Sequence, residues 1–182
     1  MKLKLATILM VVVVASATIG ASAYTSATLS RTASVDVVND DAGLIGLADG
    51  SSGDLVYNNS GQLAIDFARG SATGANANAT FEIGNTADPV NGSAFTITNQ
   101  DITSHSFTVS YTGAGGTAVT ATNIEFQIYD GTGASVGTVS EENTSTTLSG
   151  IGSGTTLYVV IVVDTTGLSS ADDLSGSLEI SA

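Results

Sequence analysis

The chain has 182 residues, with seventeen acidic side chains against four basic ones and no cysteine. This length suits one domain with its own hydrophobic core. Without cysteine, neither a disulfide bond nor a lipid-modified cysteine is available. Nucleic acid and anionic lipid are poor partners, because both would be repelled by so acidic a chain; we expect no nucleic-acid partner and no membrane partner after signal cleavage.

The first 23 residues are typical of a secretory signal peptide. Lys2 and Lys4 precede an apolar run over residues 5–14, and the segment ends on the small residues 21–23. An uncleaved membrane anchor is the alternative, but the run is short for the roughly 20 residues that span a bilayer. We therefore expect cleavage after Ala23, a mature chain that begins at Tyr24, and a secreted protein at the cell surface or outside it.

The mature chain is more acidic than the precursor. It keeps Arg31 and Arg69, two positive side chains against seventeen negative ones, which gives a formal charge of −15. Concentrated salt screens such repulsion over a few ångströms. This imbalance, with few aromatic residues, favours a halophilic source, although an ordinary acidic extracellular protein has the same signature.

Residues 24–38 form an unusually long candidate strand, without glycine or proline. At about 3.3 Å per residue it would extend roughly 50 Å, well beyond an ordinary strand. Ser and Thr fill one face. The other face, with the leading tyrosine, gives the candidate polymerisation residues Tyr24, Ala27, Leu29, Arg31, Ala33, Val35 and Val37.

An extended terminus of this kind needs partners for its backbone groups. Either the strand folds onto its own sheet, or it completes the sheet of a second copy, with alternate side chains filling successive pockets. The second arrangement joins copies head to tail and propagates into a filament unless it closes into a ring. The residue pattern alone leaves both solutions open.

Residues 39–182 are predicted to form an all-β domain, an antiparallel β-sandwich that is jelly-roll-like or immunoglobulin-like. Apolar residues alternate with polar ones in about nine or ten short segments separated by Gly, Ser, Asn, Asp and Thr. The clear segments contain Leu63, Ile65 and Phe67; Phe81 and Ile83; Phe95 and Ile97; Phe107, Val109 and Tyr111; Ile124, Phe126 and Ile128; and Leu178 and Ile180. Residues 157–163 are apolar on both faces and should be covered on both sides. Pro89 marks a turn.

The sequence carries no recognisable catalytic, cofactor or metal motif, and we predict that the protein is not an enzyme. A single histidine, His105, cannot supply the two helical histidines of a zinc protease, and we interpret it as a surface or turn residue. The paired acids Asp40-Asp41, Glu141-Glu142 and Asp172-Asp173 lack the spacing of a calcium loop and are interpreted as solvated surface. Asp66 and Glu125 are expected to point outward from strands.

Four sequons give candidate N-glycosylation sites at Asn58, Asn78, Asn91 and Asn143. Three are predicted to lie in loops, and Asn78 just before a strand. Glycans are therefore candidate partners of an exported chain.

The mature chain resembles the archaeal bundling pilins, which are related to the bacterial TasA and camelysin family of biofilm-fibre proteins. The resemblance lies in the signal peptide that leads directly into a Thr/Ser-rich strand, and in the segments 95–99, 107–110, 148–150 and 157–167. It implies a jelly-roll subunit whose N-terminal strand inserts into its neighbour, building extracellular fibres without a covalent anchor. Camelysin has been described as a metalloprotease, but this chain has one histidine.

Two functions from different classes follow. The first is a self-assembling filament or pilus subunit in adhesion or biofilm matrix, whose partner is a second copy of itself. The alternative is a monomeric, secreted β-sandwich module that binds a glycan or cell-surface partner through its loops.

Overall fold

In the computed structural model, residues 37–69, 71, 74–113, 123–169, 172 and 174–182 are described. They belong to one unit, Val37–Ala182. A short 3₁₀ helix, Asp40–Ala42, leads into eleven strands. In chain order these are β1 (Ile45–Asp49), β2 (Val56–Asn59), β3 (Gln62–Ile65), β4 (Thr80–Ile83), β5 (Phe95–Asn99), β6 (His105–Gly113), β7 (Ile124–Tyr129), β8 (Ser135–Ser140), β9 (Ser145–Ile151), β10 (Thr156–Asp164) and β11 (Gly176–Ser181).

The strands form two main sheets and one hairpin, with antiparallel pairing throughout. The large sheet has the order β1-β5-β10-β7-β8, and β4 also pairs with β10. The small sheet has the order β11-β6-β9, and β2 and β3 form the hairpin. The predicted all-β antiparallel sandwich is confirmed.

β10 is the central strand of the large sheet, because β7 pairs with one of its sides while β5 and β4 pair in succession with the other. Val159 and Ile161 on its inner face are buried, and so is Val160 on the opposite face. The prediction that residues 157–163 are covered on both faces therefore holds at Val160. A Cβ on Gly84 would lie 3.0 Å from a Val160 methyl, so this glycine allows the loop after β4 to lie against the outer face.

The core lies between the two sheets. The alternating residues of β5, β7 and β10 meet those of β6 and β9 in one buried cluster. Tyr111 of β6 and Phe126 of β7 contact each other across the sandwich, with ring centroids 5.2 Å apart. Each predicted segment lies in a strand except that β3 ends at Ile65, before Phe67.

Candidate functional site

An open groove of about 830 Å³ lies along one side of the sandwich. Its walls come from the end of the β2–β3 hairpin, the segment before β4, the segment after β10 and the beginning of β11. The inner ends of β6, β7 and β10 form the floor. At the groove, the two sheets and the hairpin therefore leave part of the core uncovered.

Both the floor and the walls of the groove are mainly apolar. Its floor consists of core residues that are almost fully buried: Tyr111, Ile124, Phe126 and Val163. Its walls carry apolar side chains that are only half-buried: Ile65, Phe67, Leu168, Leu174 and Leu178. Apolar atoms on these walls remain in water, and covering them is favourable by about 25 cal/mol per Å².

The segments that form the walls are held by specific hydrogen bonds. The buried Thr165 donates its hydroxyl proton to the carbonyl of Asn76, at 2.6 Å, and its Oγ1 accepts the N–H of Ala79. The Tyr111 hydroxyl donates to the carbonyl of Leu174, at 3.0 Å. These contacts tie the segments before β4 and after β10 to the sandwich, so the groove has defined walls.

Two carboxylates line this otherwise apolar groove. Asp66 follows β3 and is half-buried, and its Oδ1 accepts the N–H of Ala68 at 2.8 Å. Asp172 is exposed, and its Oδ2 accepts both the N–H and the hydroxyl of Ser169. Asp66 was expected to point outward from a strand. This prediction was wrong, because β3 ends at Ile65 and the chain turns.

β11 forms the edge of the small sheet next to this groove. It pairs with β6 on one side, and within the described ranges no strand pairs with its other side. Leu178 and Ile180, its inward-facing side chains, are half-buried. An unpaired edge beside a half-covered apolar groove is the arrangement that an added strand completes.

Of the predicted polymerisation residues, only Val37 lies within the described residues, and Tyr24, Ala27, Leu29, Arg31, Ala33 and Val35 lie outside them. Val37 is 99% exposed and the neighbouring Val38 is 52% exposed. Neither residue belongs to a strand. These two valines at the end of the predicted strand therefore do not pack into the sandwich.

The four sequon asparagines are exposed but differ in their hydrogen bonds. At Asn58 and Asn78 the side-chain oxygen accepts a backbone N–H, from Gly61 and Gly167. At Asn91 and Asn143 the side-chain nitrogen itself donates, to Asp88 and to the carbonyl of Thr138. Asn58 was predicted to lie in a loop, which is wrong: it lies near the end of β2.

Several residues considered for catalysis or metal binding have hydrogen-bond or ion-pair partners. His105 begins β6, and its Nε2 lies 2.5 Å from Oδ2 of Asp101. Asp40 accepts the N–H of Leu63, and Glu141 accepts the N–H of Asn123. Across the described part of the chain, no group of three or more His, Cys, Asp or Glu side chains is arranged to hold a metal ion.

We expect the protein to lose stability in acid. Hydrogen bonds lower the pKa of four aspartate carboxyls below the usual value of 3.8. The largest contribution comes from His105 at Asp101, from Thr132 at Asp130, from Thr166 at Asp164 and from the N–H of Ser169 at Asp172. A lowered folded-state pKa contributes stability above the unfolded value, and this contribution disappears as the pH falls. Burial raises the pKa of Glu141, which acts in the opposite direction.

The denaturant midpoint should therefore be lower at about pH 3 than at about pH 6. Asp130→Asn keeps the acceptor that Thr132 and Ala134 use, so the turn should persist while the acid-induced loss becomes smaller. Glu142→Gln, at an exposed site, is the control for the loss of one charge. An unchanged acid-induced loss in Asp130→Asn would contradict the assignment.

Comparisons of this chain with protein-family models, with curated proteins and with solved structures found no match. The resemblance to archaeal bundling pilins therefore stays a prediction. Among the residues that the structure describes, no helix has the length and apolar character needed to cross a membrane.

Proposed function

We propose that the protein is a secreted structural subunit that polymerises head to tail, with residues 24–38 of one copy inserting as a strand into the groove of the next. The single observation that carries this proposal is the apolar groove beside the edge of β11 with which no described strand pairs. The product is an extracellular filament, and its role is adhesion or biofilm matrix.

The inserted strand would satisfy two needs of the groove. Its backbone would pair with the outer edge of β11, and its alternate side chains would cover the half-buried Phe67, Leu174 and Leu178. This is recognition by strand addition, in which main-chain bonds supply affinity and side-chain pockets supply specificity. The exposure of Val37 and Val38 agrees with a segment that leaves its own sandwich.

The magnitudes indicate that both kinds of contact are needed. Burying Leu29, Val35 and Val37 contributes about 1.5–3 kcal/mol for each side chain. Association costs about 4–15 kcal/mol in lost translational and rotational freedom. The apolar contacts alone therefore offset this cost only when the cost lies in the lower part of its range, and otherwise the hydrogen bonds along β11 must supply the rest.

Three further features complete the proposal. The signal peptide directs export, and the formal charge of −15 keeps the mature subunits soluble in strong salt before they assemble. For glycans, Asn58 and Asn78 are the favoured acceptors, since their side-chain nitrogens are free of the bonds that Asn91 and Asn143 make.

The test is a truncated mature protein that lacks residues 24–38. The eleven strands of the described residues lie beyond this segment, so the truncated protein should fold and remain monomeric by size-exclusion chromatography with light scattering, while the full mature chain polymerises. A synthetic peptide of residues 24–38 should bind the truncated protein, measured by fluorescence anisotropy. A peptide of the same composition with its alternation scrambled is the control.

The proposal fails if the truncated protein still polymerises, or if the full mature chain stays monomeric at high concentration. The monomeric binding module predicts the latter result, with the groove available to another ligand.

A further inference from the structure

Arg31 is an unusual residue for the inward face of the proposed inserted strand. It lies between Leu29 and Ala33 on the face that would enter an apolar groove. A buried charge without a partner is costly, so this guanidinium needs a carboxylate. The only other basic residue of the mature chain is Arg69.

Arg69 already has its own contacts. Its guanidinium lies over the ring of Tyr57, 3.7 Å from the ring centre, and its Nη1 donates to the carbonyl of Asp54 at 2.6 Å. The two carboxylates of the groove therefore have one remaining Lys or Arg candidate in the mature chain, Arg31, which is on the segment proposed to enter the groove.

The groove offers one well-placed carboxylate. Asp66 is half-buried on the wall, next to Ile65 and Phe67, and its Oδ1 is held by the N–H of Ala68. Asp172, the other carboxylate of the groove, is exposed. Within the described ranges the one ion pair is His105 with Asp101, so neither groove carboxylate has a cationic partner there. A half-buried pair is screened less by salt than an exposed one, which favours Asp66.

We propose that Arg31 of one copy forms an ion pair with Asp66 in the groove of the next copy, and that this pair sets the register of the inserted strand. The inference rests on the proposed strand insertion. A guanidinium and a carboxylate make directional, charge-assisted hydrogen bonds that suit this role.

The pair distinguishes registers that the apolar residues alone do not. A slip of one residue turns Ser30 and Thr32 toward the groove, and the apolar pattern excludes it. A slip of two residues keeps small and aliphatic side chains facing inward but moves Arg31 about 7 Å along the strand. Arg31 would then leave the carboxylate of Asp66 and stay unpaired in the groove, so only one register satisfies both the apolar walls and the charge.

The first experiment uses the full mature chain and changes only the inserted segment. Arg31→Gln and Thr32→Glu both lower the formal charge by one, but Thr32 is on the outward face. We expect the critical concentration for polymerisation, measured by light scattering, to rise about tenfold or more in Arg31→Gln and to change little in Thr32→Glu. Equal effects of the two variants would overturn the proposal.

The second experiment tests whether the pair joins two copies. Arg31→Asp and Asp66→Arg should each fail to polymerise alone, since like charges meet at every junction. An equimolar mixture should polymerise, because each donor segment then meets a groove of opposite charge and the two variants alternate along the filament. Circular dichroism checks that both variants fold. If Asp66→Arg does not fold, a double-mutant cycle combines Arg31→Gln with Asp66→Asn, which keeps an acceptor for the N–H of Ala68.

Three results would overturn the pairing. The first is that the mixture polymerises no better than either variant alone, although the wild-type chain polymerises. The second is additive effects of Arg31→Gln and Asp66→Asn. The third is that Arg31→Asp and Asp66→Arg compensate each other only when both are in the same chain and that chain is monomeric, which would place the segment in its own groove. A wild-type chain that never polymerises would instead reject the proposed function, and the pairing with it.

Discussion

Replacing Phe95 with alanine should lower the free energy of unfolding by about 3–5 kcal/mol, because a fully buried aromatic side chain leaves a cavity as well as losing its transfer energy. Phe95 is 0% exposed and lies on β5, opposite Asp49 of β1 and Val159 of the central strand β10. The neighbouring strands pair on both sides of β5 and restrict its collapse onto the cavity. Equilibrium denaturation with urea measures the loss.

Phe81→Ala is the matched control for the core prediction. Phe81 lies on β4, which pairs only with β10 among the described strands, and its side chain is half-buried. The same chemical change should cost clearly less there, since water already reaches the side chain. A loss at Phe95 no greater than the loss at Phe81 would contradict the placement of the core.

Replacing Asn99 with alanine should cost about 1–3 kcal/mol for a different reason, because it leaves the buried backbone carbonyl of Ile151 without its donor. The side-chain nitrogen of Asn99 donates to the carbonyls of Thr103 and Ile151, each at 2.8 Å, and its Oδ1 accepts the N–H of Asp101. Asn99 is 0% exposed, at the end of β5 in the large sheet, whereas Ile151 ends β9 of the small sheet. One amide therefore joins the two sheets.

Asn143→Ala supplies the control for Asn99→Ala. Its amide also donates to a carbonyl, that of Thr138, but at an exposed turn where water can replace the bond. We expect a loss below about 1 kcal/mol by the same urea measurement. Similar losses at the two asparagines would show that Asn99 does not join buried groups.

The alternation of apolar and polar residues predicted the sandwich and most of its strands, because a half-buried strand must present one face to the core. Phe107, Val109 and Tyr111 of β6 are clear examples, and all three are buried. None of the segments named from this pattern corresponds to β1, β2, β8 or β9, and the Ser- and Thr-rich β9 places only Leu148 and Ile151 in the core. Its position depends on pairing with β6, which a local pattern does not reveal.

The groove could not be predicted, because it depends on where a strand ends. Leu63, Ile65 and Phe67 continue one alternating pattern, so a strand through Phe67 was expected, with Asp66 on its outer face. β3 instead ends at Ile65, and the turn places Asp66 and Phe67 on the groove wall. The carboxylate of Asp66, between Ile65 and Phe67, was the only local sign that the strand could end there. It was not decisive, because acidic residues are common on the outward faces of strands.

The most direct test of strand-mediated assembly is electron microscopy of the purified mature protein at high salt and high concentration. We predict long threads with one β-rich unit in each repeat, and continuous density that passes from the start of one unit into the groove beside β11 of the next. Dispersed single particles, with each leading segment folded into its own sandwich, would contradict the account.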